Sequence, residues 1–240
     1  MGTQVAAGTV IRNATSEDLP AIMDVERDWP RSERAPVEKM AARLERFPEG
    51  VFVGEVEGRV VGVTTSCPTV YEPDHVDVFT SWDAVTNKGW LRDRDEIAGA
   101  NAVYIVSTGI KKAYRGSGLF RPLIGRQIDL SRRLGLRYCV TGVILEGYAA
   151  YLRDNAPLPA ADYALLRPNG CHVDPLLEKA RHAGFRVPDA RHVVPGYFAS
   201  EGALDWSAIM VYDAEKDLPP TLSGAYPGRA RRTGKHHVSR

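Results

Sequence analysis

The chain has 240 residues, 44% of them hydrophobic and 25% charged, with a net charge of +1 at pH 7. These values suit one large soluble domain and give no global pull towards nucleic acid or membrane. No apolar run reaches membrane-spanning length, residues 1–8 lack the basic-then-apolar build of a signal peptide, and Cys67, Cys139 and Cys171 have no metal-type spacing. A reducing cytoplasm and the absence of a bound metal are the expectations.

Residues 1–8 read as a flexible leader and 9–214 as one domain. Thr9–Asn13 is a short strand, and Thr15–Asp18 a capping-type helix start. Leu19, Ile22, Met23 and Val25–Glu26 then recur at helical spacing up to Pro30, and Pro36 opens a second helix through Met40, Leu44 and Phe47. Residues 51–57 and 59–65 alternate around Glu57-Gly58, a hairpin signal. An insertion at about 67–100 carries Phe79, Trp82 and Trp90, and its length suits a loop bordering a binding pocket.

Val103–Ile110 is β-branched and apolar, a buried strand, in which Gly109 signals a bulge or a close backbone approach. From Leu119 two apolar rows follow, Leu119/Leu123/Leu130/Leu134 and Phe120/Ile124/Ile128, the stripe of a half-buried helix. Pro122 has no N–H and fits only the first turn, so the amides of about Gly116 to Phe120 are expected to be free for a ligand. A strand, a glycine turn and a helix start aim those amides and a positive dipole end at one point, which suits a phosphate. Residues 136–144 form another buried strand, Glu146 and Tyr148 follow it, and a Pro/Ala/Asn-rich loop runs to Gly170. Asp174-Pro175 starts a helix that closes at Gly184, Phe185-Arg-Val starts a strand, and 204–212 supply the last one. The segment 215–240 is basic at its end (Arg229, Arg231, Arg232, Lys235, Arg240) and reads as disordered.

The dinucleotide fingerprint would need a glycine where Arg121 stands, and the Walker loop would need a Gly-Lys-Ser/Thr. Arg115-Gly116-Ser117-Gly118-Leu119-Phe120 instead resembles the pyrophosphate loop of the GCN5-related N-acetyltransferases (the GNAT superfamily), with Phe120 in place of the usual small residue. The order strand, two helices, hairpin, strand, loop, helix resembles that family's N-terminal half, and Ala183-Gly184-Phe185 matches its helix ending in Gly-Phe. The enlarged loops after the third and fifth strands resemble one subgroup.

The resemblance implies an α/β GNAT fold, a mixed central sheet with flanking helices, and acetyl-CoA as cosubstrate. It implies that Arg115, Gly116, Ser117, Gly118, Leu119 and Phe120 hold the pyrophosphate, and that Ser107, Thr108 and Ile110 line the pantetheine and thioester. The family's usual acidic tyrosine is replaced here by Ala180, and its frequent fourth-strand carboxylate by Ser107; Glu146 and Tyr148 are the substitutes as acid and base. The implied reaction is acyl transfer, acetyl first, to the amine of a small molecule. A carrier-protein thioester or aminoacyl-tRNA donor stays open, as do a non-catalytic CoA-binding module, a homodimer, and nucleic-acid contact through the basic tail. A membrane partner is not expected.

Overall fold

A computed structural model describes residues 8–217. Of the expected leader (1–8) and tail (215–240), residues 1–7 and 218–240 lie outside the described residues, while 215–217 form a turn on the Asp213 carbonyl. Seven strands form one mixed sheet: β1 (Thr9–Asn13), β2 (Phe52–Val56), β3 (Arg59–Thr69), β4 (Ala102–Ile110), β5 (Tyr138–Ile144), β6 (Val193–Pro195) and β7 (Trp206–Asp213). Their order is β1-β2-β3-β4-β5-β7-β6. β4 and β5 are parallel and every other pair is antiparallel.

Helices α1 (Leu19–Glu26) and α2 (Val37–Arg46) cover one face of the N-terminal strands. Ile22, Val25 and Met40 pack there on Val51, Val53 and Val63. The other face carries α4 (Phe120–Arg133), reached after the short α3 (Trp82–Thr86). Its first turn puts Leu119 and Leu123 against Val56 and Val61. Cβ atoms at Gly54 and Gly62 would meet Leu119 at 3.0 and 2.9 Å, inside van der Waals contact, so the glycines in β2 and β3 let α4 approach. Beyond β5 come α5 (Tyr148–Asp154), α6 (Ala160–Leu165) and α7 (Pro175–His182). The helix α7 lies beside α4, where Lys179 stands over the Phe120 ring at 4.0 Å from its centroid.

Three expectations need correction, and a fourth, the either/or reading of Gly109, is resolved. β3 runs through Cys67 to Thr69, because its pairing with β4 continues to Thr69↔Ala102, so the segment leaving the sheet is 70–101. The loop to Gly170 contains two helices, α5 and α6, built on a tyrosine cluster of Tyr148, Tyr151 and Tyr163. Phe185-Arg-Val is no strand; only Arg186 bridges to Val211, and the edge strand is Val193–Pro195. The bulge of β4 lies at Val106, since Thr65 pairs with Ser107 and Ser66 with Ile105.

Candidate active site

The Val106 bulge decides the geometry of the sheet centre. An extra residue bends and twists its strand. β4 pairs with β5 from Ala102↔Tyr138 to Ile105↔Thr141 and no further, although β4 continues to Ile110 and β5 to Ile144. Two parallel strands thus part, leaving a slot edged by 106–110 on one side and 142–144 on the other. Exposed strand edges of this kind offer main-chain donors and acceptors to an extended amide ligand.

Gly109 is a close-approach site: a Cβ there would lie 2.7 Å from the Trp29 indole nitrogen. Gly142 opens the β5 side of the slot, and a Cβ there would meet the Tyr197 ring at 2.3 Å and the Tyr104 hydroxyl at 3.1 Å. The Tyr197 hydroxyl donates to that of Tyr104 at 2.8 Å. Burial pushes both phenols upward, so both stay protonated at neutral pH. The Trp82 indole N–H donates to the Val106 carbonyl at 3.0 Å, and its ring packs near Phe198. The insertion after β3 therefore reaches β4 at the bulge.

At the mouth of the slot sits the glycine loop. Gly116 and Gly118 have φ of 84° and 82°, a region open to glycine at no steric cost. Ser117 N–H donates to the Tyr114 carbonyl at 3.2 Å, so that amide is not free. Among the described residues, the N–H groups of Gly116, Gly118, Leu119 and Phe120 have no acceptor, as the start of a helix dictates. The Ser117 hydroxyl is buried and also lacks a partner. A buried polar atom without a partner, among free amides at a helix start, fits an anionic oxygen. Arg115 lies exposed beside them; burial first, and the Arg115 charge second, lower the Lys179 ammonium below the ordinary lysine range.

Ser107 and Thr108 point to opposite faces. Ser107 Oγ meets Thr65 Oγ1 at 2.8 Å on the α2 side, while Thr108 Oγ1 meets Thr64 Oγ1 at 2.9 Å. Ile110 packs with the Leu119 cluster. Glu146 is exposed at the end of β5, next to Gly147, whose N–H donates to Asp174 at 3.0 Å. Tyr148 is buried, with its hydroxyl donating to the Leu158 carbonyl at 2.7 Å. Ala180 is buried, so no tyrosine hydroxyl projects from α7 at that turn. Sequence reasoning missed Tyr104, Tyr197, Glu26 and Arg43. The last two were visible as charges on the apolar rows of α1 and α2, in register with Ile22 and Met40.

The fold is that of the GCN5-related N-acetyltransferases, a mixed sheet split between its fourth and fifth strands. In particular, the chain resembles the loading GNAT-like domain of CurA from Lyngbya majuscula, with a TM-score of 0.67 and 21% identity over 86% of this chain and 98% of that one. It likewise resembles GphF, a GNAT-like decarboxylase in complex with isobutyryl-CoA, with a TM-score of 0.65 and 22% identity over 85% and 99% of the two chains. No family model matches the chain. Two proteins of Bacillus subtilis are similar in sequence. The probable hydrolase YhcX is 26% identical over 219 residues, which cover 90% of this chain and 41% of that protein. The uncharacterized N-acetyltransferase YkwB is 23% identical over 205 residues, 83% and 86% of the two. The chain thus spans less than half the length of YhcX. Among the described residues no helix is long and apolar enough to cross a membrane, and no side-chain group suits a metal ion.

Proposed function

We propose that this chain transfers an acyl group from an acyl-CoA thioester to an acceptor nucleophile, with acetyl and a small-molecule amine as the first pair to test. One observation carries the reading. The free amides and the partnerless Ser117 hydroxyl lie at the mouth of a slot between parting parallel strands, so one ligand with a phosphate end and an amide-bearing arm would satisfy both. The isobutyryl-CoA complex of GphF and the name of YkwB support it.

In this reading residues 115–120 hold the pyrophosphate. Ser107, Thr108 and Ile110 contribute strand backbone to the pantetheine arm and to the thioester carbonyl. Tyr104 and Tyr197 close the inner end of the slot. Glu146, exposed at the end of β5, takes the proton from the acceptor amine. Tyr148 returns one to the leaving sulfur only by giving up its bond to Leu158. The likeness to the CurA loading domain favours a second reading, a carrier-protein thiol in place of the small amine.

The test is thermal. A ligand bound only by the native state at a hundredfold its Kd adds about 2.7 kcal/mol. For a domain of this size that raises Tm by about 5 to 10 °C. An unmoved transition at millimolar CoA, with the fold intact, overturns the reading.

A further inference from the structure

Arg43 belongs to α2 but ends in the sheet. It is 2% exposed, in a place where helical periodicity calls for a hydrocarbon. A buried guanidinium is costly unless an anion or a full set of acceptors replaces its water. Its Nε donates to the Gly89 carbonyl at 3.0 Å, and Nη1 reaches Thr65 Oγ1 and Ser107 Oγ, both at 3.3 Å. Among the described residues no carboxylate forms an ion pair with it, and its second terminal nitrogen has no acceptor. Glu26 supplies negative charge from a distance only. Its own carboxyl accepts the Ala35 N–H at 3.0 Å and is raised by burial.

A purely structural role leaves this unexplained. Lys39 and Arg46, one turn to either side, already hold the carbonyls of Lys88, Trp90 and Leu91. Arg43 alone of the three sends a terminal nitrogen, Nη1, past the insertion to β3 and β4, while Nε and Nη2 stay beside Gly89. It arrives at Ser107, one residue beyond the bulge, on the face that also holds Trp29 and Trp82. A carboxylate at position 107 would neutralise it within the chain; a serine leaves the charge for a ligand.

We propose that Arg43 recognises a carboxylate carried by the group that reacts at the slot, either on the acceptor, as in an amino acid, or at the far end of the acyl chain. The pinned Nε fixes the fork, which suits paired hydrogen bonds to a carboxylate. This rests on the acyl-transfer reading.

The experiment uses the full chain saturated with CoA, and matched probes that differ only in a carboxylate. Glycine against glycinamide and 4-aminobutyrate against butylamine place it on the acceptor. Succinyl-CoA against butyryl-CoA, tested without prior CoA, places it on the acyl chain. Calorimetric titration is expected to show the acidic member of at least one pair binding about ten- to a hundredfold tighter. Arg43→Met brings that ratio to about one and Arg43→Lys restores part of it, while CoA affinity holds. Wild-type protein that binds CoA but separates no pair by more than about threefold overturns the proposal without touching the acyl-transfer reading. So does a preference that survives in Arg43→Met. If that variant unfolds, the wild-type pairs and Arg43→Lys decide alone. Failure to bind CoA is the separate outcome that removes the underlying reading.

Discussion

Ser117→Ala separates ligand binding from folding, because the hydroxyl it removes has no partner in the free protein. A buried hydroxyl left unsatisfied costs about 1 to 3 kcal/mol, so its loss does not destabilise the chain and can raise stability by about 1 kcal/mol. For a domain of this size that is an unchanged Tm or a rise of about 2 to 4 °C. In the complex the same hydroxyl would donate to a phosphate oxygen. A hydrogen bond to a charged group is worth about 1.5 to 3 kcal/mol, so CoA affinity is expected to fall about ten- to a hundredfold. Titration calorimetry with CoA and a urea melt, run on one preparation, read the two quantities. Pantetheine, which lacks the phosphates, serves as the control ligand and loses nothing. A variant that melts earlier yet binds CoA as before would refute the reasoning, since it would make Ser117 a packing residue.

Glu146→Gln and Tyr148→Phe are expected to lower turnover at least about tenfold with CoA affinity unchanged, if they carry the proton transfers. Tyr148→Phe also strips the Leu158 carbonyl of its donor, visible as a loss of about 1 kcal/mol in a urea melt. Asp174→Ala removes acceptors for Leu176 N–H, Leu177 N–H, Gly147 N–H and the Tyr163 hydroxyl. With a cap worth about 1 kcal/mol and two buried donors stranded, urea unfolding should register a loss of about 3 to 7 kcal/mol. Arg12 holds the Asp18 carboxyl down at about 2 from its ordinary 3.8. A depressed acid stabilises the fold above its unfolded pKa and loses that effect as pH falls through the folded one. The stability gap between wild type and Asp18→Asn should therefore be constant above about pH 5 and shrink between pH 4 and 2.

What the sequence showed clearly was whatever local chemistry dictates. The hairpin at Glu57-Gly58, the glycine loop before α4 and the Asp174-Pro175 helix start each depend on a few adjacent residues, and each stands where it was expected. Gly109 signals a bulge or a close backbone approach, and it is the close approach, to Trp29; the bulge itself is at Val106, whose role depends on how β3 pairs with β4. Helices α5 and α6 were hidden among Pro, Ala and Asn, because tyrosine stacking and the Asp174 bonds hold them rather than a long apolar stripe. Arg43 and Tyr104 escaped for a similar reason. Their partners, Ser107 and Tyr197, are 64 and 93 residues away in the chain.

The turn at 87–91 closes on itself through the N–H groups of Gly89 and Leu91, which donate to Thr86, and that of Trp90, which donates to Asn87, yet its backbone is strained. Asn87, Lys88, Gly89 and Leu91 have φ of 52°, 55°, 80° and 61°, a left-handed run that is unfavourable for the three with side chains. Its carbonyls are held by the α2 cations: Lys39 binds Lys88 at 2.7 Å, Arg43 binds Gly89 at 3.0 Å, and Arg46 binds Leu91 at 2.7 Å. The turn's own bonds are thus supplemented, on the carbonyl side, by a helix more than forty residues upstream. Amide protons in 86–91 should then exchange with solvent at the rate set by opening of α2, in one cooperative step, rather than at the pace of a surface loop. The Trp82 indole over the Val106 carbonyl would leave in the same step, since α3 runs directly into that turn. Access to the strand slot is in this way geared to the local stability of α2, whose buried Arg43 and half-buried Lys39 and Arg46 do the clamping.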